Sequence, residues 1–217
     1  MNLDLTLLDL TLENILNLGV SFLNDNTNIS YINDVQKLPG DEHYLFLAAL
    51  GMQMKNKTII ELGTHNGRSA ISLNYGNLKN HNDNTIITYD INNFLLPNIF
   101  DNTNIIFKMD NLFDNKTRDD NKEFILSSDL IFIDVDPHEG VVEFEMYTWL
   151  KENNYKGLIL FDDIHLGVGH LGVFTGNCMQ QFWDKVDDKY KIDLTHVGHY
   201  SGTGLVCFCF ENYNIKY

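Results

Sequence analysis

Short apolar runs alternate with longer amphipathic stretches over most of this chain. Five of the runs predict strands, near residues 58–62, 85–90, 104–108, 130–134 and 157–161. The stretches around them carry apolar residues at helical spacing and predict helices near residues 42–54, 68–78, 119–126, 141–153 and 177–189. Strands that alternate with helices are typical of a mostly parallel sheet covered on both faces, so the pattern predicts a doubly wound α/β fold.

The two ends of the chain depart from this alternation. Two final strands, near 191–197 and 205–210, are separated by a turn too short to hold a helix, so we predict that they are antiparallel. At the other end, leucines at helical spacing between residues 5 and 22 predict one or two short helices. The 217 residues then divide into an N-terminal helical extension, 1–40, and one domain, 41–217.

Composition narrows the range of partners. The net charge is −15, and the only two arginines are Arg68 and Arg118. This balance disfavours nucleic acid and anionic membranes, because binding to phosphates needs clustered Lys and Arg. No apolar run approaches the length of a transmembrane helix, so no membrane partner is expected. An odd count of three cysteines without a secretory signal predicts a reducing, cytoplasmic location.

A glycine turn follows the first predicted strand of the domain. Gly63 and Gly67 would let the backbone turn sharply and approach a ligand closely, and Glu61 stands just ahead of them. Asp90 ends the next strand, about twenty residues on, where nucleoside-binding α/β domains carry the acid that holds a ribose. The glycines could also merely close a tight turn, but the two acids favour a ligand.

The residues between the two glycines indicate which nucleoside. The spacing lacks the lysine and the extra residue of a phosphate-binding GxxxxGK[ST] loop, and His65 stands where a dinucleotide fingerprint has its middle glycine. Glu61 would also repel phosphates. An amino-acid end suits this turn better, with its carboxylate at the helix N-terminus and its ammonium near Glu61. These features predict S-adenosylmethionine.

Acidic residues end, or directly follow, each of the first five strands of the domain. Because ligands of open parallel sheets bind beyond the carboxyl ends of the strands, these side chains should gather at one edge. A single aspartate there could simply cap the next segment. Asp134, Asp162 and Asp163, however, come from neighbouring strands and would repel one another without a cation. Their hard oxygen ligands predict a site for Mg²⁺, or for Mn²⁺ or Ca²⁺.

Two histidines follow these acids closely and are candidate general bases. His138 and His165 each lie within four residues of an acid of the predicted metal site, and Asp136 is a competing base. His199, beside the glycine-containing turn before the last strand, could also line the pocket.

The turn, the acids and the histidines together resemble the motifs of class I S-adenosylmethionine-dependent methyltransferases. The resemblance spans residues 41–210 and is carried by Ile60-Glu-Leu-Gly-Thr-His-Asn-Gly-Arg-Ser69, Asp90, Phe132-Ile-Asp-Val-Asp-Pro-His138 and Leu160-Phe-Asp-Asp-Ile-His165. Within that class these segments are most similar to small-molecule O-methyltransferases related to macrocin-type sugar methyltransferases and cephalosporin-hydroxylase-like proteins.

The resemblance implies a Rossmann-like, seven-stranded, mostly parallel sheet with a terminal antiparallel strand. It implies that the ribose of the cofactor binds Asp90 and that the adenine lies beside Asp110. The strand end and turn would hold the methionine part, through Glu61, Gly63, Thr64, His65, Asn66, Gly67 and Ser69. Asp134, Asp162 and Asp163 would hold Mg²⁺. The family often carries a histidine three residues after the first metal acid, but here Pro137 fills that place. The base could therefore be His138, Asp136 or His165.

We therefore expect a metal-assisted O-methyltransferase that acts on a hydroxyl of a small molecule or sugar. Two alternatives stay open: a metal-independent methyltransferase, and a non-catalytic module on the same fold that binds a nucleoside or glycan. The segment before Asp41 and the glycine-rich loop near residues 167–172 would cover the acceptor or form a homodimer contact, and the sequence does not choose between these roles.

Overall fold

A seven-stranded sheet forms the centre of the protein. The computed structural model describes residues 6–18, 38–169 and 176–217. The strands in chain order are β1 (Thr6–Asp9), β2 (Thr58–Leu62), β3 (Thr85–Asp90), β4 (Ile106–Met109), β5 (Leu130–Ile133), β6 (Leu158–Asp162), β7 (Lys191–Asp193), β8 (Thr203–Cys207) and β9 (Tyr213–Lys216). The central sheet has the order β4-β3-β2-β5-β6-β8-β7. This order confirms the predicted Rossmann-like α/β fold.

The direction of the strands also agrees with the sequence pattern. Strands β2 to β6 pair in parallel, whereas β8 runs antiparallel to both β6 and β7. The last two strands of this sheet are therefore antiparallel, as the short turn between them predicts. The antiparallel strand lies one position inside the sheet edge, because β7 forms that edge.

The described ranges contain eight α-helices. They are α1 (Leu12–Asn17), α2 (Tyr44–Gln53), α3 (Arg68–Leu73), α4 (Tyr75–Asn80), α5 (Asn115–Asp120), α6 (Lys122–Ser127), α7 (Val141–Glu152) and α8 (Met179–Lys185). Two predicted single helices, at 68–78 and 119–126, are each divided into two short ones. Helix α2 lies directly on α3, since a Cβ at Gly51 would lie only 2.1 Å from the carbonyl oxygen of Leu73. Within the described ranges, no helix has the length and apolar character that crossing a membrane requires.

The N-terminal segment is not wholly helical, and this part of the prediction is wrong. Residues Thr6–Asp9 form a strand that pairs in parallel with β9. The reason is a two-residue alternation that overrides the helical spacing of the leucines: Leu8 and Leu10 are buried, whereas Leu7 is 54 % exposed. The helix starts only after Thr11, whose hydroxyl accepts a hydrogen bond from the backbone N–H of Asn14.

The hydrophobic core consists of two clusters of buried side chains, and successive residues of a central strand belong to different clusters. Ile59 and Phe132 belong to one cluster, and Ile60 and Ile131 belong to the other. Leu8, Leu10 and Ile15 pack in the first cluster together with residues of α2. The domain boundary predicted at residue 40 stays a prediction, and residues 19–37 and 170–175 lie outside the described ranges.

Candidate active site at the carboxyl edge of the sheet

The glycine turn after β2 passes directly against the end of β5. Gly63 has a φ of +98°, and a Cβ at this position would lie 1.7 Å from the backbone oxygen of Asp134. The backbone N–H groups of Gly63 and Thr64 donate to the carbonyl of Tyr89, at 2.9 and 3.2 Å. Only glycine permits this approach, so the turn brings the ends of β2, β3 and β5 together.

The first of two cavities at this edge is mainly apolar. It has a volume of about 300 Å³ and is lined by Leu62, Gly63, His65, Tyr89, Asp90, Ile91, Asn92, Phe94, Asp110, Asn111, Leu112, Phe113, Asp134, Val135, Asp136, Pro137 and Val142. We call it the apolar cavity. The Asp90 carboxylate at its wall accepts hydrogen bonds from the backbone N–H groups of His65, at 2.8 Å, and Asn92, at 3.0 Å. Asp90 and Asp110 therefore line the same cavity. They are the residues that we predict to bind the ribose and to lie beside the adenine of the cofactor.

A second cavity adjoins it and is rich in titratable groups. It also measures about 300 Å³ and is lined by Glu42, His43, Tyr44, Gly63, Thr64, His65, Asn66, Ser69, Asp134, Asp136, His138, Asp162, Asp163, His199 and Tyr200. We call it the acidic cavity. The two cavities share Gly63, His65, Asp134 and Asp136. The structure thus brings the three predicted metal acids together, beside the cavity that Asp90 and Asp110 line. The predicted cofactor residues Thr64, Asn66 and Ser69 line only the acidic cavity.

Imidazoles contact two of these acids. One carboxylate oxygen of Asp162, Oδ2, lies 3.0 Å from His43 Nδ1 and 3.1 Å from His199 Nδ1. The Asp163 carboxylate lies 3.1 Å from His138 Nδ1 and 3.3 Å from His199 Nδ1, and it also accepts a hydrogen bond from the Ser201 hydroxyl. Asp162 and Asp163 therefore have histidine partners that the sequence pattern did not assign to them.

Each set of described residues that could hold a metal ion includes a histidine nitrogen. Within the described ranges there are four sets of three residues whose ligand atoms lie within 4.8 Å of one another, and each includes at least one histidine. The sets are Glu42-His43-His199, His43-Asp134-Asp162, Asp134-His138-Asp163 and Asp162-Asp163-His199. The predicted trio of Asp134, Asp162 and Asp163 is not one of them. These three carboxylates line one cavity, but each set of neighbouring ligand atoms that includes two of them also includes a histidine nitrogen.

The electrostatics of the cavity follow from these contacts. Burial alone would lower the pKa of His43, but the carboxylates of Asp162 and Asp134 outweigh it and raise the pKa. Burial likewise opposes a charge on His199, yet hydrogen bonds and charges from Asp162 and Asp163 raise its pKa to about 11. The pKa of Asp162 is lowered despite its burial, because both imidazoles face it. Burial and the charge of Asp162 raise the pKa of Asp134 well above its usual range. Of Asp134 and Asp162, Asp134 is therefore the acid whose negative charge is less well balanced by neighbouring histidines.

Glu61 lies behind the turn rather than at a cavity wall. The side chain is fully buried, its Oε2 accepts a hydrogen bond from the Thr88 hydroxyl, and Oε1 has no hydrogen-bond partner among the described residues. Burial raises the pKa of Glu61 to about 7, against the opposing effect of hydrogen bonds from Ser69 and Thr88. Neither Glu61 nor Gly67 lines either of the two cavities, so their contact with a cofactor stays a prediction.

The two histidines predicted as candidate general bases lie in different places in the structure. His138 lines the acidic cavity, and its Nε2 lies 3.0 Å from Asp136, whose side chain is 91 % exposed. His165 lines neither cavity and pairs with Asp193 at 2.9 Å, with both side chains partly exposed. The geometry therefore favours His138 over His165.

Sequence reasoning missed the residues at the start of helix α2. Glu42, His43 and Tyr44 line the acidic cavity, but they follow no strand and match no motif. The only local signal was the helix start after Pro39-Gly40. His199 was predicted to line the pocket and does so, but its contacts with Asp162 and Asp163 depend on the fold.

Comparisons with known proteins point to a methyltransferase domain. The model of a family described as a methyltransferase domain matches residues 60–164, a stretch that holds the glycine turn and the acids through Asp163. A search of curated proteins by sequence gives no significant match.

Solved structures with the same fold include O-methyltransferases. An O-methyltransferase from Bacillus cereus, in complex with SAH, is 16 % identical at a TM-score of 0.51, and the match covers 90 % of each chain. A Staphylococcus aureus protein described as a candidate caffeoyl-CoA O-methyltransferase is 18 % identical at a TM-score of 0.52, over 90 % of this chain and 98 % of that one. At these identities the likeness establishes the fold. Residues 60–164, which carry the predicted motifs, therefore match a methyltransferase domain, and the sheet around them has the fold of solved O-methyltransferases.

Proposed function

We propose that this protein transfers a methyl group from S-adenosylmethionine to a hydroxyl of a small molecule or sugar, with help from a divalent metal ion. One observation carries the proposal: the apolar cavity and the acidic cavity meet at a common wall that includes Gly63 and Asp134. A methyl donor on one side of this wall would face an activated hydroxyl on the other.

The apolar cavity fits S-adenosylmethionine. A nucleoside needs apolar walls with a few polar groups that fix its orientation, and Asp90 and Asp110 are two of the four acids that line this cavity. Gly63 leaves no side chain at the point where the turn meets β5. The unpartnered Oε1 of Glu61 suits an ammonium group close by. Asp90 would hold the ribose, Asp110 would lie beside the adenine, and the turn would hold the methionine part.

The acidic cavity fits a divalent ion. Asp134, Asp162 and Asp163 supply carboxylate oxygens, and burial together with the neighbouring carboxylates raises the pKa of Asp134 despite the opposing charge of His43. When bound there, a metal ion would lower the pKa of a coordinated acceptor hydroxyl.

His138 is the proposed general base. Asp163 lies 3.1 Å from Nδ1 and orients the ring, and the exposed Asp136 can swing away from Nε2. His138 would accept the hydroxyl proton at Nε2. The acceptor oxygen would then form a bond to the methyl carbon as the bond from that carbon to sulfur breaks, which leaves S-adenosylhomocysteine. The cavities chiefly supply alignment of the two reactants.

The volume of the acidic cavity and the net charge of the chain support a small-molecule or sugar acceptor. About 300 Å³ suits a small molecule, and vicinal hydroxyls of a sugar or catechol could occupy two metal positions. The net charge of −15 disfavours nucleic acid. A cytoplasmic location and a homodimer stay predictions.

Metal removal tests the proposal. Methyl transfer from S-adenosylmethionine to catechols and sugars should be abolished by EDTA and restored by Mg²⁺ or Mn²⁺. Asp134→Asn should lose transfer but still bind S-adenosylhomocysteine by calorimetry. If Asp134→Asn retained full transfer, the metal would have no role in the reaction.

The pairing of acids with imidazoles favours one alternative. Because His43, His138 and His199 already face Asp162 and Asp163, the cavity could serve a metal-independent methyltransferase. Transfer that survives EDTA would select that alternative. If neither methyl transfer nor binding of S-adenosylmethionine or S-adenosylhomocysteine were detected, the proposal that this protein is a methyltransferase would be wrong.

A further inference from the structure

Three residues of the acidic cavity have no role in the proposed reaction. Glu42, His43 and His199 each offer one ligand atom, and these three atoms lie within 4.8 Å of one another. Glu42 and His43 come from the start of helix α2, whereas His199 comes from the turn between β7 and β8. The set therefore joins two parts of the chain that are distant in sequence.

Asp162 faces both imidazoles from the same side. Its Oδ2 lies 3.0 Å from Nδ1 of His43 and 3.1 Å from Nδ1 of His199. A carboxylate at one ring nitrogen is the usual way in which proteins orient a histidine whose other nitrogen binds a metal. In His199 that other nitrogen, Nε2, lies 3.6 Å from Oε2 of Glu42.

A second observation points to a ligand at this set. His43 is only 4 % exposed; its Nδ1 pairs with Asp162, whereas its Nε2 has no hydrogen-bond partner within the described ranges. A buried polar atom without a partner is destabilising by about 1–3 kcal/mol, so such atoms are rare without a functional reason. Because Nδ1 of His43 faces Asp162, Nε2 is the ring nitrogen that is left for a ligand.

We propose that Glu42, His43 and His199 form a second metal site, for a divalent transition metal ion that accepts nitrogen ligands. Two imidazoles and one carboxylate suit Zn²⁺, Fe²⁺ or Co²⁺, whereas Mg²⁺ prefers oxygen ligands only. Asp162 is the positioning residue for both rings. The site is distinct from the trio of Asp134, Asp162 and Asp163, and it does not depend on the acceptor of the proposed reaction.

Binding of Co²⁺ to the purified protein tests this site, because cobalt reports its ligands through visible d–d absorption. The titration is run in saturating Mg²⁺, which competes for the oxygen-ligated trio, and is followed by absorption and calorimetry. We expect one Co²⁺ with bands of a nitrogen-ligated centre and a rise in Tm, since a ligand of the folded state stabilises it. His43→Asn and His199→Asn should each weaken Co²⁺ binding at least about tenfold.

Matched variants make the result specific. His81→Asn is the same change at an exposed position outside the cavity, where the positive φ of 52° also suits asparagine, and it should leave Co²⁺ binding unchanged. Asp134→Asn should weaken Mg²⁺ binding and leave the Co²⁺ bands in place. If His43→Asn does not fold, His199→Asn and Glu42→Gln carry the test, because their side chains are partly exposed.

Two results would overturn the second site. One is Co²⁺ binding that Mg²⁺ displaces completely and that His199→Asn leaves unchanged, which would assign all metal to the three aspartates. The other is no Co²⁺ binding at any concentration that keeps the protein folded. Loss of methyl transfer in Asp134→Asn, with the Co²⁺ bands intact, would support the two sites as separate.

Discussion

Gly63 and Asp134 touch through their backbones, so that the turn after β2 rests on the end of β5. A Cβ at residue 63 would lie 1.7 Å from the carbonyl oxygen of Asp134, well inside contact distance. The turn after β2 and the end of β5 are therefore in direct contact where both cavities are lined, so we expect a substitution at either residue to affect both cavities.

We expect Gly63→Ala to lose binding of S-adenosylhomocysteine in calorimetry and to lower the free energy of unfolding in urea by about 2 kcal/mol or more, from strain and overpacking. Gly169→Ala is the control, because Gly169 has a φ of +89° but no atom of the described residues lies within 4 Å of an added Cβ. It should show only the backbone strain, of about 1 kcal/mol. Equal effects of the two variants would show that the contact with Asp134 does not matter.

Asp90 lies at the wall of the apolar cavity and is the proposed ribose ligand. Its replacement by alanine should raise the Kd for S-adenosylmethionine at least tenfold, which corresponds to about 1.4 kcal/mol, a typical value for a hydrogen bond to a charged group. Asp101→Ala removes an exposed carboxylate from a nearby loop and should leave the Kd unchanged. An unchanged Kd in Asp90→Ala would exclude Asp90 from the cofactor site.

The choice of general base can be tested with one matched pair of variants. His138→Gln should lower kcat by about 100-fold or more, the usual contribution of a positioned base, with little change in the Kd for S-adenosylhomocysteine. His165→Gln should keep most of the activity, because His165 pairs with Asp193 outside both cavities. The opposite order of effects would make His165 the base and require the loop after β6 to move.

Glu143 should make stability depend on pH. Burial raises its pKa to about 7 from 4.5, so the folded state holds the proton more tightly than the unfolded state. The free energy of unfolding should therefore fall as the pH rises from the unfolded value to the folded one.

Replacement of this buried acid by its amide removes the effect. Glu143→Gln should stabilise the protein at pH 8 by about 1–3 kcal/mol and have little effect at pH 4, measured by urea unfolding. Glu145→Gln, an exposed acid on the same helix, should change stability little at either pH. A Glu143→Gln variant with the same stability as the parent at pH 8 would mean that the carboxylate is solvated or paired.

Much of the fold follows from short-range patterns. The runs 58–62 and 130–133 are mostly apolar because parallel strands are buried on both faces, and this made them predictable as strands of a mostly parallel sheet. The strand at Thr6–Asp9 was missed, because its leucines fit a helical spacing as well as a two-residue alternation. Only pairing with β9 chooses between the two.

The sequence by itself determined that acids end the parallel strands and that a glycine turn follows β2, and the topology of such sheets carries these groups to one edge. Only the tertiary structure decided which histidines join them. Helix α2 packs against α3 through Gly51, and this packing brings His43 to Asp162, 119 residues later in the chain. Such contacts depend on the packing of whole elements, and no local pattern of residues encodes them.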